Sequence, residues 1–271
     1  MTFGVLAPDL EVLAPIRDAN IPRDKAMALA AEWGIPIANI VSSYSIDENL
    51  WGRTAECGVL EDPWVAPPED AFDRTAAAAD RPREPAEVVV TFDRGLPVAL
   101  DGETLQLPAL IRSIDALGGS YGFGRVDMIE NRRVGIKSRE LYEVPGALAL
   151  ITAHRALEDT TLERELAHHK PLIEQRWADL VYDGQWFSPL RRALDAYVDA
   201  TQTHVTGEVR LRFEPGACTV VGRRAERSLY DLSLATYGSD DAFDQSHAEG
   251  FVKLWGLPLK VWSSVQGLEE Q

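Results

Sequence analysis

The amino-acid sequence predicts an α+β fold, a mostly antiparallel sheet with long helices. Three observations carry this reading. Two hairpin patterns, at 88–100 and 205–222, join β-rich runs through Gly-containing turns. A helical pattern fills 146–183. Of the 271 residues, 45% are hydrophobic and 26% charged, which is ordinary globular composition and excludes collagen-like or wholly disordered chains.

The elements follow in chain order. Leu10–Ala14 is a short apolar run closed by Pro15 and reads as a buried strand. Pro22–Trp33 reads as a helix, with Pro near its start, alanines inside and Gly34 as its stop. Gly34-Ile-Pro-Ile begins another extended segment. Strand, helix and strand in so short a span look like the tail of an α/β unit. A buried parallel strand needs neighbours on both sides, so the expectation is a chain that starts in the middle of a domain. Residues 61–87 hold five of the 16 prolines and many charges and read as a surface excursion.

Val88–Phe92 and Leu96–Leu100 form the first hairpin around Asp93-Arg-Gly95. Leu107–Leu117 reads as a helix ended by Gly118-Gly119. Val126–Ile129 and Val134–Ile136 read as strands flanking a polar corner, Glu130-Asn131-Arg132-Arg133. Gly146–Asp183 is helical, with Pro171 marking a break into two helices. Ser188-Pro189 starts a further helix that runs to Thr201, with Ser as N-cap and Pro at the first helical position. Val205–Phe213 and Ala217–Gly222 form the second hairpin, and Asp241–Trp255 is a last helix before a short apolar tail. There are no internal repeats.

Charge narrows the function classes. Lys and Arg total 27 against 43 Asp and Glu, a formal charge of −16. Such a surface repels phosphate backbones, which excludes general nucleic-acid or anionic-membrane binding but leaves room for a small basic pocket. Two cysteines, Cys57 and Cys218, make no disulfide framework, so a reducing cytoplasm is expected. No apolar run approaches the roughly 18 residues of a membrane span. The N-terminus has no basic region before an apolar core and does not read as a signal peptide.

The common catalytic templates, G-x-x-x-x-G-K-[ST], G-x-S-x-G, H-E-x-x-H and C-x-x-C, do not occur. Gly118-Gly-Ser-Tyr-Gly-Phe-Gly124 follows a helix and lacks dinucleotide spacing, so it reads as a flexible turn and not a phosphate cradle. His168 and His169 point about 100° apart on a helix and cannot share one metal face. Two polar clusters remain. In Tyr44–Thr54, Ser45 and Glu48 have capping-box spacing for a short helix, and two hydroxyls, two acids, an amide and an arginine crowd together. In Gly124–Tyr142, Asp127, Glu130, Asn131, Arg132, Arg133, Lys137, Arg139 and Tyr142 alternate with apolar residues. Cross-strand ion pairs on a sheet face explain such charges. So does a zwitterion site, with a carboxylate for an α-ammonium and arginine and hydroxyls for an α-carboxylate.

The segments YSIDENLWGRT (44–54), LEDPW (60–64), GRVDMIENRRVGIKSRELYEVPG (124–146), AHRALE (153–158), LVYDGQWFSP (180–189), VTGEVRLR (205–212), SLYD (228–231) and AEGFVKLWGLPLKV (248–261) resemble the argininosuccinate synthase family, in family order and over nearly the whole chain. The resemblance implies ATP-driven joining of citrulline and aspartate. The ureido oxygen attacks the α-phosphorus of ATP, giving citrullyl-AMP and pyrophosphate, and aspartate's amine then displaces AMP. Ser45, Thr54, Glu130 and Tyr142 match the family's citrulline contacts, with Thr54 in place of the usual serine and Glu130 facing the α-ammonium. ATP and Mg²⁺ are implied as cosubstrates, with no prosthetic group and no metal-binding residues in this chain.

The family's Ser-Gly-Gly-Leu-Asp-Thr-Ser pyrophosphate loop does not occur in the sequence, so no ATP-binding residues are expected in this chain. The resemblance therefore implies three parts. Residues 1–42 are the remnant of an ATP-pyrophosphatase-like α/β domain, 43–238 the citrulline-binding synthetase domain, and 239–271 an oligomerisation helix and tail. A homotetramer joined through that helix is implied, as is a second chain that supplies the ATP-binding domain if the enzyme is split. The alternative function is a non-catalytic homologue that binds citrulline-like amino acids or scaffolds an oligomer.

Overall fold

Alternation along Val88–Phe92 and Val209–Phe213 builds the larger of two antiparallel sheets in the computed structural model, which describes residues 1–36, 44–236 and 242–267. The chain divides into two compact units, Met1–Arg227 and Ser228–Gln271. The first unit opens with three helices, α1 (Thr2–Leu6), α2 (Pro15–Asp18) and α3 (Arg23–Glu32). A hairpin follows, β1 (Ser45–Asn49) and β2 (Gly52–Glu56). Then come β3 (Ala86–Asp93), β4 (Leu96–Leu100), β5 (Glu103–Thr104), α4 (Leu107–Ser120), β6 (Arg125–Asn131) and β7 (Lys137–Glu143). The unit closes with α5 (Pro145–Thr161), α6 (Arg164–Tyr182), α7 (Pro189–Thr201), β8 (Gly207–Glu214) and β9 (Ala217–Ala225).

The five-stranded sheet has the order β5-β4-β3-β8-β9 and the four-stranded sheet the order β1-β2-β7-β6, every pairing antiparallel. This is the α+β architecture expected. Val88, Val90 and Phe92 of β3 and Val209, Leu211 and Phe213 of β8 point to one side of the larger sheet. They pack against Leu110, Ile111 and Ile114 of α4 and Ala149, Ala153 and Leu157 of α5. Each such large side chain contributes about 1.5–3 kcal/mol by leaving water. A smaller cluster, Tyr44, Ala55, Leu60, Ala71 and Leu141, lies under one face of the four-stranded sheet.

Several expectations are corrected. Leu10–Ala14 is irregular, with Leu13 76% exposed. A strand exists only where a neighbour takes its backbone hydrogen bonds, and among described residues 1–36 there is no strand to pair with. Gly34–Pro36 form no regular element, and the rest of that expected extended segment lies outside the described residues. Ser45–Asn49 is a strand, not a capped helix, because every residue of it pairs with β2. The return strand after β6 is Lys137–Glu143. Val134 and Ile136, expected as its core, sit in the turn that joins β6 to β7, Val134 being 80% exposed. Non-local pairing outweighs the apolarity of these two positions.

The helical break falls at Leu162–Glu163, not at Pro171. Leu162 is extended, and the Glu163 carboxylate caps α6 by accepting from the N–H groups of Glu165 and Leu166. Pro171 stays inside α6, where it forgoes one backbone hydrogen bond. The Ser188 cap is as expected, its Oγ accepting from Arg191 N–H. The 61–87 excursion is not wholly superficial, since Ala71 and Thr75 are buried.

The glycine-rich stretch is a packing corner. At Gly124 φ is +100°, and an added Cβ would sit 2.5 Å from the Pro145 nitrogen. His168 and His169 are exposed on α6, and both cysteines are free. No helix of the described residues is long and apolar enough to cross a membrane. The second unit holds α8 (Leu232–Ala235), α9 (Ser246–Trp255) and α10 (Leu257–Gln266), so the apolar tail is a further helix. The last helix, expected over Asp241–Trp255, begins at Ser246; residues 242–245 are not helical, and Asp241 itself lies outside the described residues.

Candidate functional site

Strand geometry sorts the polar clusters. Side chains alternate between faces along a strand, and cross-strand partners share a face. In the four-stranded sheet Arg53 pairs with Glu143, and Thr54, one residue on, pairs with Tyr142. The two pairs therefore point in opposite directions. On one face lie Arg53, Ala55, Arg139, Leu141 and Glu143, all buried. On the other lie Ser45, Thr54, Glu56, Glu130, Ser138, Glu140 and Tyr142.

The buried face is structural. The Glu143 carboxylate accepts from the backbone N–H groups of Asp73, Arg74 and Thr75, from Thr75 Oγ1, and from Arg53 Nη1 at 2.9 Å. It fastens the 73–75 loop to the sheet. Arg139 holds Asp127 through two donors, at 2.9 and 2.6 Å, and its Nη1 donates to the carbonyls of Asp62 and Val65. That guanidinium keeps the Asp127 carboxyl below the usual carboxylate range. These are the cross-strand ion pairs one reading of the sequence expected.

The open face collects all four residues that the family resemblance indicates. Ser45 is on β1, opposite Glu56. Thr54 on β2 and Tyr142 on β7 are direct partners. Glu130 lies near the end of β6, opposite Ser138. Four neighbouring strands about 4.8 Å apart thus gather hydroxyls and carboxylates on one face. Gly52 starts β2 where a Cβ would meet the Glu143 carbonyl at 2.7 Å, so only glycine lets β2 approach β7 this closely.

Polar contacts join the members. Tyr142 Oη donates to Glu140 Oε2 at 2.7 Å. Arg132, just past β6, donates from Nε to Ser138 Oγ at 2.9 Å and from Nη2 to Glu56 Oε2 at 2.9 Å. Its guanidinium also lies 3.4 Å from Glu140 and 3.6 Å from Glu130. Tyr182, the last residue of α6, comes up beside Glu130. Burial, then the neighbouring Glu140 charge, pushes the Glu130 carboxyl above its ordinary range, against the pull of Tyr182 and Arg132. Burial and the Glu140 bond drive the Tyr142 phenol far up as well, so it stays a neutral donor. With three carboxylates against one guanidinium, the face favours a cation such as an ammonium.

Glu56, Glu140 and Tyr182 are members that sequence reasoning missed. A period of two along Thr54-Ala55-Glu56 and Ser138-Arg139-Glu140-Leu141-Tyr142 is the signal that finds the first two once the strands are known. Tyr182 arrives from a distant helix and leaves no local signal. Among the described residues, no group of three or more His, Cys, Asp or Glu side chains is placed to hold a metal ion.

Residues 44–262 match the family described as the arginosuccinate synthase C-terminal domain. The argininosuccinate synthase of Bacillus licheniformis is 54% identical over 266 residues, 98% of this chain and 66% of the relative. That of Lactiplantibacillus plantarum is 55% identical over 267 residues, 98% of this chain and 65% of the relative. That of Bacillus subtilis strain 168 is 53% identical over 266 residues, with coverage of 98% and 66%. The chain thus spans just under two thirds of the length of these curated relatives.

Proposed function

This chain belongs to the argininosuccinate synthase family, and from that premise we infer that the open face of its four-stranded sheet binds citrulline for an ATP-dependent carbon–nitrogen ligase. The observation that carries the reading is that Ser45, Thr54, Glu130 and Tyr142 come from four strands yet share one face. In this reading Glu130 receives the α-ammonium of citrulline. The hydroxyls of Ser45, Thr54 and Tyr142 fix the rest of the ligand. Thr54 keeps the hydroxyl of the serine usual at this position and adds only a methyl group.

The reaction proposed is the family's. The ureido oxygen of citrulline attacks the α-phosphorus of ATP, the bond to the β-phosphate breaks, and pyrophosphate leaves. Aspartate's amine then attacks the ureido carbon, the C–O bond breaks, and AMP leaves with that oxygen. Adenylation turns a poor leaving oxygen into a good one. The sheet face does not fit a polyphosphate, because Glu56, Glu130 and Glu140 outnumber Arg132 and repel it. No nucleotide or Mg²⁺ step is assigned to these residues, and ATP and Mg²⁺ enter as cosubstrates bound by other groups.

In this proposal residues 1–42 are part of the nucleotide-binding domain, 43–238 the citrulline domain and 239–271 the oligomerisation segment of a cytoplasmic homotetramer, whose biosynthetic product feeds arginine formation. The purified 271-residue chain binds L-citrulline and, lacking the pyrophosphate loop, does not release pyrophosphate from ATP with citrulline, aspartate and Mg²⁺. Calorimetric titration and a pyrophosphate-release assay test both parts. Absence of saturable citrulline binding overturns the site assignment, and turnover above the blank overturns the claim that the nucleotide chemistry lies elsewhere.

A further inference from the structure

The arginines and lysine that the sequence offers as partners for a ligand carboxylate are committed elsewhere. Arg139 is buried against Asp127 on the opposite face. Arg133 is exposed and paired with Asp183 at 3.2 Å. Lys137 donates to Asn131 across the hairpin. Arg132 alone lies over the open face, and there its Nε and Nη2 already serve Ser138 and Glu56, with Glu140 and Glu130 beside them.

Arg132 thus bridges three strands. Glu56 is on β2, Ser138 and Glu140 on β7, and Glu130 on β6. The side chains of Glu56, Glu130 and Glu140 are 24%, 14% and 12% exposed, so water screens their mutual repulsion poorly. Without the guanidinium the three carboxylates would move apart, or Glu130 would take up a proton. A protonated Glu130 loses its charge for an ammonium, and a displaced one loses its geometry. The planar fork of arginine suits this task, because it addresses several oxygens from one fixed plane.

We propose that Arg132 is a positioning residue of the ammonium site: it holds the Glu130 and Glu140 carboxylates in place, and it does not bind the ligand's carboxylate. The proposal rests on the citrulline reading of this face. Tyr182 stands beside the same carboxyl at the end of α6, and the Arg133–Asp183 pair next to it ties that helix end to the hairpin.

The test uses the 271-residue chain, Arg132→Gln and Arg132→Lys. Three ligands separate the roles: L-citrulline, 5-ureidopentanoate (no ammonium) and L-citrulline amide (no carboxylate). Arg132→Gln is expected to weaken citrulline and its amide alike, by about 10-fold as for a lost charged hydrogen bond. It should leave 5-ureidopentanoate within about twofold, the usual margin for uncoupled changes. Arg132→Lys restores part of the loss. Weakening of citrulline and 5-ureidopentanoate together, with the amide spared, means direct carboxylate binding and overturns the proposal, as does no change with any ligand.

A second arm needs no ligand. With ¹³C-labelled glutamate, the Glu130 carboxyl should titrate at higher pH in Arg132→Gln than in the unsubstituted chain, and an unmoved titration overturns the proposal. If Arg132→Gln does not fold, Arg132→Lys carries both arms, with smaller shifts in the same direction. Failure of the unsubstituted chain to bind citrulline overturns the citrulline reading, whereas the titration arm then still decides what Arg132 does to Glu130.

Discussion

Arg53 and Glu143 are direct cross-strand partners on β2 and β7, and their side chains form a buried ion pair, Nη1 to Oε2 2.9 Å. One step along the same two strands, Thr54 and Tyr142 form the centre of the open face. The candidate site is therefore backed by a charged pin, and the precision of the open face depends on the closed one.

Glu143→Gln should destabilise the chain by about 3–5 kcal/mol, because it leaves the buried Arg53 guanidinium without its counter-charge. It also weakens the anchor of the 73–75 backbone. The urea midpoint measures this. An unchanged midpoint would show that the loop and not the pair sustains the sheet.

Glu130→Gln is expected to lower citrulline affinity about 10- to 100-fold, the worth of a charged hydrogen bond to an ammonium. Stability should respond in the opposite sense. The Glu130 carboxyl is raised in the folded chain, so the folded state holds its proton more tightly than the unfolded state does. Stability from that proton is present below the unfolded carboxylate range and is lost as pH rises through the folded value. Glutamine does not titrate, so its melting temperature relative to the parent should be higher at pH 7 than at pH 4. A melting temperature lowered at pH 7 with unchanged affinity would make Glu130 a structural strand-end partner instead.

Thr54→Ser should bind citrulline with nearly parental affinity, since the hydroxyl stays on the same strand face. Thr54→Val removes the hydroxyl at nearly constant shape and should cost about 0.5–1.5 kcal/mol, or roughly 2- to 13-fold in Kd. Equal affinity for threonine, serine and valine would remove Thr54 from the site.

The second unit carries an apolar surface that suits self-association. Phe251 and Trp255 stack on α9 with centroids 5.7 Å apart and are 60% and 75% exposed, and Leu254, Leu259 and Trp262 are exposed beside them in sequence. Surface of this kind rarely stays open in a monomer. Light scattering at micromolar concentration should find the full chain as an oligomer and a version ending at Arg227 as a smaller species. Two monomers of equal solubility would exclude the segment as an assembly element.

Some of this protein is legible one residue at a time. The hairpins at 88–100 and 205–222 follow from β-rich runs and turn residues, and the helix from Pro189 from its Ser188 cap. These signals are local, and so they survive without knowledge of the fold. The family resemblance also indicated Ser45, Thr54, Glu130 and Tyr142, because it was read from the segments that contain them. Pairing is another matter. Whether Leu10–Ala14 is a strand, whether Ser45–Asn49 extends or coils, and whether 134–136 or 137–143 returns along β6 depends on which segment lies alongside. Only that pairing divided one alternating run of charges into a buried ionic face and an open polar one, and only tertiary packing brought Tyr182 to Glu130. Backbone hydrogen bonds between strands, and the exclusion of water from one side of a sheet, are made by residues far apart in the chain, and no short window of sequence contains both partners.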